Sequence, residues 1–214
     1  MSLLNRVSTT DALVDALRDQ IVSGELPPGT VLPEQPLGQT FGVARPTVRA
    51  AVQTLVFEGL LRREPNRSAY VPRLTSSDVR DLFLVRIPLE LHAVSTLIER
   101  GVRPLAAERA LEPAAVAGRE PSWTEQVDAV LGFHRGLVDA VESPRLTRTF
   151  AMLEIELRLC LAQWRREHGG TLAGRAAEHR RILDAIVSGD RERALEMLRE
   201  HLEEGARLSL ESAP

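Results

Sequence analysis

Arg45 and Arg49 stand four residues apart in a stretch of helical periodicity, and Gln53 follows four further on, so the three share one stripe of a helix. Val48, Ala51, Val52 and Leu55 follow three-and-four spacing on a different stripe, which suits burial. A guanidinium is a planar fork of donors that matches phosphate oxygens or the O6 and N7 acceptors of guanine. Two such forks on the open face of a half-buried helix have the chemistry for reading DNA. Thr47, between them, can reach a phosphate or a thymine methyl.

The elements that must position these groups are short. Glu34 to Phe41 reads as one helix, with Pro36 in its first turn, where a missing N–H is tolerated. A tight Gly42-Val43 turn leads to the arginine-bearing helix, which starts near Arg45 with Pro46 as an N-terminal proline. A second helix reached by a short turn is what a helix-turn-helix inserts into the major groove. Gln35, in the first turn of the preceding helix, is a candidate for the DNA backbone. After Gly59 come two extended pieces, Leu60–Arg63 and Ala69–Pro72, joined by residues 64–68. They read as a hairpin wing beside the recognition helix, with Arg67 near its tip. Upstream, Thr9 or Thr10 can cap a first helix that carries Leu13, Ala16, Leu17 and Ile21 and stops at Gly24.

Beyond Arg73 the pattern is helical to the end. Thr75-Ser76-Ser77-Asp78 supplies caps for a helix to about Arg100, with Pro88 expected to kink it. A short helix to about Gly118 follows, and then helices near 123–142, 145–167, 172–188 and 190–210. Six helices without a strand signal indicate an all-α bundle. The fold class is therefore mainly α: a winged helix-turn-helix over 1–74 and a six-helix bundle over 75–214. His134, His179 and His201 fall on the bundle's helices, and Arg86 and Glu90 form an i,i+4 pair on its first. Trp123 and Trp164 read as packing residues, because a chain with only 4% aromatics needs them in its core. His92 and His168 read as surface or locally bonded groups.

Composition bounds the partners. Hydrophobic residues are 43% and charged residues 27%, which fits a soluble globular chain. The net charge of −3 gives no global basic signal, but residues 1–75 hold eight Arg against seven acids and the remainder 19 against 23. DNA binding would rest on a local patch. All 27 basic residues are Arg. The single cysteine, Cys160, permits no intrachain disulfide and suits a reducing cytoplasm. No apolar run reaches ~18 residues and no signal-peptide pattern opens the chain, so neither membrane insertion nor export is expected.

Residues 24–71 closely resemble the winged-helix domain of the GntR transcription factors. The resemblance is carried by Gly24-Glu25-Leu26, Pro28-Gly29, Leu32-Pro33-Glu34, Leu37, Phe41-Gly42-Val43, Arg45, Val48-Arg49, Leu55 and Glu58-Gly59-Leu60. About residues 76–205 resemble the FCD ligand-binding domain of the FadR-like members, through Gly132-Phe133-His134, Glu178-His179 and His201. That resemblance implies a metal site, often zinc, held by His134, His179 and His201. It also implies a small carboxylate effector near that metal, with Arg86 gripping it and Glu90 beside it. The family's fourth ligand, an Asp four residues before the first histidine, is replaced here by Val130. Asp128 points roughly 120° away from His134 on the helix and is a poor substitute. Zinc or another divalent ion would then have three imidazoles and an open position, or the imidazoles would meet an anion directly.

The reading is a cytoplasmic, homodimeric DNA-binding regulator, a repressor before an activator, that binds an operator duplex under the control of a small organic acid. It is not an enzyme. Two alternatives stand beside it: a dimeric regulator whose helical domain senses nothing, and a zinc hydrolase whose metal is held by three histidines.

Overall fold

The computed structural model describes residues 8–112, 120–172 and 174–214. The chain divides into two compact units, Met1–Arg73 and Leu74–Pro214. In the first, α1 (Thr9–Ser23) begins with a reciprocal capping box in which Ser8 receives the Asp11 N–H and Asp11 receives the Ser8 N–H. The cap is Ser8 and not Thr9 or Thr10, because only Ser8 leaves the acid at the third helical position. Gly24 closes the helix in the left-handed conformation at φ 85°. α2 (Glu34–Phe41) and α3 (Arg45–Phe57) follow, joined at Gly42. Leu13, Leu17 and Ile21 of α1 are buried, as are Val48, Val52 and Leu55 of α3.

The wing differs from a plain hairpin. Arg62 and Tyr70 exchange both backbone hydrogen bonds at 2.8 Å, but β2 (Ala69–Tyr70) also pairs antiparallel with β1 (Val31–Leu32). β1 is too short to show a period of two in the sequence. The turn is made at Asn66, with φ 61°; Asn enters the left-handed region more readily than most non-glycine residues.

The second unit is built of α4 (Ser76–Arg100), α5 (Leu105–Ala110), α6 (Trp123–Asp139), α7 (Pro144–His168), α8 (Arg175–Val187) and α9 (Arg191–Glu211). Capping boxes start α4 (Thr75 with Asp78) and α6 (Ser122 with Glu125). α4 runs on through Pro88. α5 ends at Ala110, so part of the short helix expected to reach Gly118 lies outside the described residues. The core is aliphatic around Phe133 and Phe150, with Val94 and Leu97 of α4, Ile182 of α8 and Leu198 of α9. Gln163 on α7 fastens the start of this unit. Its carbonyl accepts from the Leu74 N–H at 3.2 Å, and its amide donates to the Leu74 carbonyl at 3.1 Å and to the Ser212 carbonyl at 2.7 Å.

Candidate functional site

The first unit places its charged side chains around one acid. Arg45 and Arg49 are exposed on α3, at 68% and 54% of their side chains. Glu34, at the start of α2, accepts from Arg45 Nε at 3.2 Å, from Arg49 Nε and Nη2 at 3.2 to 3.4 Å, and from Arg63 Nη2 at 3.3 Å. Arg49 first, with burial opposing and Arg45 assisting, holds the Glu34 carboxyl below its usual range. Arg45 is held by its Nε edge, which leaves its two Nη groups for a ligand. Thr47 is half-buried on the same turn, Gln35 is exposed on α2, and Arg67 is exposed at the wing, paired with Glu64 at 3.0 Å. α3 starts at Ala44 without a side-chain cap; Pro46 carries no N–H, and the Thr47 N–H turns back to the Ala44 carbonyl at 2.9 Å. Neither Glu34 nor Arg63 stood out in the sequence as a partner of these arginines. An acid separated by a turn from the arginines that it meets has no periodic signature.

The second unit brings His134 (α6), His179 (α8) and His201 (α9) together, all buried. His179 Nε2 lies 3.0 Å from His201 Nε2, and His201 Nε2 lies 3.2 Å from His134 Nε2. Behind them, Glu90 is fully buried. One of its oxygens lies 2.6 Å from His134 Nδ1 and the other accepts from Arg86 Nε at 2.6 Å. Burial alone would raise this carboxyl, but His134 and Arg86 overcome it and hold it at about 2. Burial is the main cause that pushes His134 down to about 4, against the pull of Glu90, and burial also drives His179 well below its ordinary value. Both imidazoles are therefore neutral at neutral pH. His134 Nδ1 donates to Glu90, so its Nε2 carries only a lone pair.

Counting protons shows what the cluster lacks. His201 can donate one Nε2–H towards His134. The His179 Nε2 then faces a nitrogen whose proton is already used, and a proton of its own would clash with it. At least one lone pair is left without a donor. His179 Nδ1 and His201 Nδ1 are also buried without a hydrogen bond, although Glu178 Oε2 lies 3.1 Å from the latter. Three converging nitrogen lone pairs fit a divalent cation, whose ligand nitrogens stand ~3.3 Å apart in tetrahedral zinc geometry. A carboxylate behind His134 is the usual outer support of a metal-bound imidazole.

A cavity of about 200 Å³ opens beside this cluster. Arg86, His134 and His201 stand on its wall, and Val130 occupies the wall where the resemblance implies an Asp. Glu90 and His179 are not among its walls; they stand behind it. Asp128 is turned to Arg158, at 2.7 Å, which agrees with its unsuitable helix angle. Trp164 is a cavity wall as well as a packing residue, since it stacks with Trp123 (6.5 Å between centroids) and with His168 (5.8 Å) and also borders the void. Its expected role was packing alone; an indole large enough to do both gives no sign in one dimension. Cys160 also borders the cavity, its thiol pushed up to about 12 by burial and so protonated and unreactive. His168 binds the Trp164 carbonyl at 3.2 Å and His92 is exposed, away from the cluster.

Comparison with known proteins agrees with this division. Residues 9–71 match the model of the bacterial regulatory proteins of the gntR family, and residues 81–204 match the FCD domain. The chain is similar to the HTH-type transcriptional regulator YdhC of Bacillus subtilis, at 28% identity over 86% of this chain and 84% of the relative. It is also similar to the gluconate operon transcriptional repressor of the same organism, at 29% identity over 65% of this chain and 58% of the relative. Among solved structures, a GntR transcriptional regulator from Rhodococcus sp. RHA1 aligns at 28% identity with a TM-score of 0.77, covering 96% of this chain and 99% of that one.

Proposed function

The chain belongs to the FCD-containing branch of the GntR family of DNA-binding transcriptional regulators, and from that premise we propose that it is an acid-responsive repressor. Arg45, Arg49 and Thr47 read base edges in the major groove, while Gln35 and Arg67 hold the DNA backbone. The chain works as a cytoplasmic homodimer, so that two α3 helices meet the half-sites of a pseudo-palindrome. Relatives named as repressors support that direction of control. No described helix is long and apolar enough to cross a membrane.

His134, His179 and His201 hold a divalent metal, with zinc as the first candidate. When bound, it supplies a positive centre for an effector oxygen beside the cavity. Arg86 adds a second positive edge there, and Glu90 holds both Arg86 and His134 in place. Among the described residues, the two carboxylates that meet these imidazoles, Glu90 and Glu178, sit at the far, Nδ1 side of His134 and His201. That placement favours holding a ligand over hydrolysing one. An effector shifts operator affinity only by its differential affinity for two arrangements of the protein. α7 offers a path, because it carries Trp164 on the cavity and Gln163 on Leu74, the residue that follows the DNA-binding unit.

The observation that carries the DNA assignment is the α3 face, where two exposed guanidiniums stand beside a formed wing. Duplexes selected in vitro by the purified protein test it. Arg45→Ala and Arg49→Ala are each expected to lose at least tenfold in affinity for the selected duplex, and unchanged binding in both variants rejects α3 as the reading helix. Elemental analysis of the purified protein checks the metal.

A further inference from the structure

The walls of the cavity say more about the effector than that it is a small acid. This inference rests on the sensing reading above. The charged and imidazole side chains on the wall are Arg86, His134, His201 and Arg175. Arg86 gives Nε to Glu90 and keeps its Nη edge for a ligand, with His134 and His201 alongside. Arg175 also borders the cavity, but Glu178 already accepts from its Nη1 at 2.9 Å. The remaining wall is formed largely by Phe83, Val130, Leu157, Leu161, Trp164 and Leu208. Thr171 and Ser209 are the two hydroxyl side chains on it.

That distribution discriminates between kinds of acid. A sugar acid carries a hydroxyl on nearly every carbon. Two hydroxyl side chains cannot partner them all, and each stranded hydroxyl lowers affinity about tenfold. A second carboxylate placed against leucine and indole would be stripped of water, and the other guanidinium on the wall, Arg175, already gives Nη1 to Glu178. An apolar body instead releases water from those same walls. A volume of about 200 Å³ equals roughly seven waters, and somewhat more atoms when they are covalently linked.

We propose that the effector is a monocarboxylate with an aromatic or branched aliphatic body, about ten non-hydrogen atoms in all, the size that such a volume holds. The carboxylate lies at the Arg86–His134–His201 end and the body lies against Trp164, Leu157 and Leu161. This separates the chain from its similar protein that is named for gluconate.

The test is calorimetric titration of the full-length protein, zinc-loaded and chelator-treated, with phenylacetate, 4-methylpentanoate, gluconate and succinate. Intrinsic fluorescence follows in parallel, since Trp164 walls the cavity. Phenylacetate or 4-methylpentanoate is expected to bind at least tenfold more tightly than gluconate and succinate, with a change in tryptophan emission. Trp164→Leu is expected to weaken phenylacetate more than 4-methylpentanoate. If gluconate or succinate binds as tightly as the apolar acids, the proposal is overturned while the sensing reading stands. If none of the four binds in either form, the sensing reading falls and the proposal falls with it.

Discussion

Acidifying the metal-stripped protein from pH 7 to pH 5 will weaken the helical bundle, and His134 sets the size of the effect. Two forces act on this imidazole in opposite senses: burial disfavours its charge, and the Glu90 carboxylate 2.6 Å away favours it. Burial wins, and the folded value is about 4. In the unfolded chain the group titrates near ~6.5. Its folded value is depressed, so the unfolded state binds more protons between those limits and stability falls as pH drops through the window. At pH 5 the unfolded imidazole is almost wholly protonated, whereas the folded one holds about a tenth of a proton. Integration over the interval gives a loss of ~2 kcal/mol from His134. His179, also depressed by burial, adds in the same direction. Glu90 does not contribute there. Its folded value of about 2 gives stability that is complete above its ordinary range and is lost only as pH falls towards 2. The assay is urea unfolding of chelator-treated protein followed by tryptophan fluorescence, which reports this unit because Trp123 and Trp164 both lie in it. With a slope of ~2 kcal/mol per M, the midpoint should drop by ~1 M for His134 alone. His134→Gln, which cannot titrate, should lose correspondingly less on acidification. A protein more stable at pH 5 than at pH 7 would show an imidazolium paired with Glu90, and the burial argument would be wrong.

Three further outcomes follow from packing and pairing. A Cβ on Gly136 would lie 2.6 Å from Ala107 Cα and 2.7 Å from the Ala106 carbonyl carbon, both backbone. Gly136→Ala should therefore force α5 off α6 and cost about 3 kcal/mol, lowering the melting temperature by ~6–12 °C; a change under about 2 °C refutes the close approach. Gln163→Leu removes three hydrogen bonds to Leu74 and Ser212. It should leave operator and effector binding within about threefold, yet reduce the effector's influence on operator affinity at least fivefold in a gel-shift titration; undiminished coupling discards the α7 path. Glu34→Gln frees Arg45 and Arg49 to seek any phosphate, so binding to a scrambled duplex should tighten several-fold and the selected-to-scrambled ratio should narrow. An unchanged ratio would mean that Glu34 does not orient the reading helix.

The legible and the illegible parts of this molecule divide by the range of the interaction. The helices could be read because their signals are local: Ser122 three residues before Glu125, or Pro144 opening α7 behind Ser143. The turn at Gly42 and the Pro46 start of α3 could be read for the same reason. His134, His179 and His201 could be grouped only through family register, since 45 and 22 residues separate them and no periodicity links three different helices. Glu90 looked like an ordinary helix pair with Arg86, and its second bond, to His134 across 44 residues, appears only when α4 and α6 are packed. β1 and the gathering role of Glu34 were hidden likewise, the first by its two-residue length and the second by the turn that intervenes.

The acid at the head of α2 bears on how salt should act on this protein. A bare arginine that docks on a phosphate expels a condensed cation from the duplex, and binding then weakens steeply as electrolyte is added. In the proposed complex, Arg45 and Arg49 come to the duplex already part-neutralised by Glu34. Whatever pairing Glu34 keeps in the complex is charge that the DNA does not have to balance. The operator complex should accordingly tolerate rising ionic strength better than its number of guanidiniums implies, and the tolerance belongs to a carboxylate rather than to any cation.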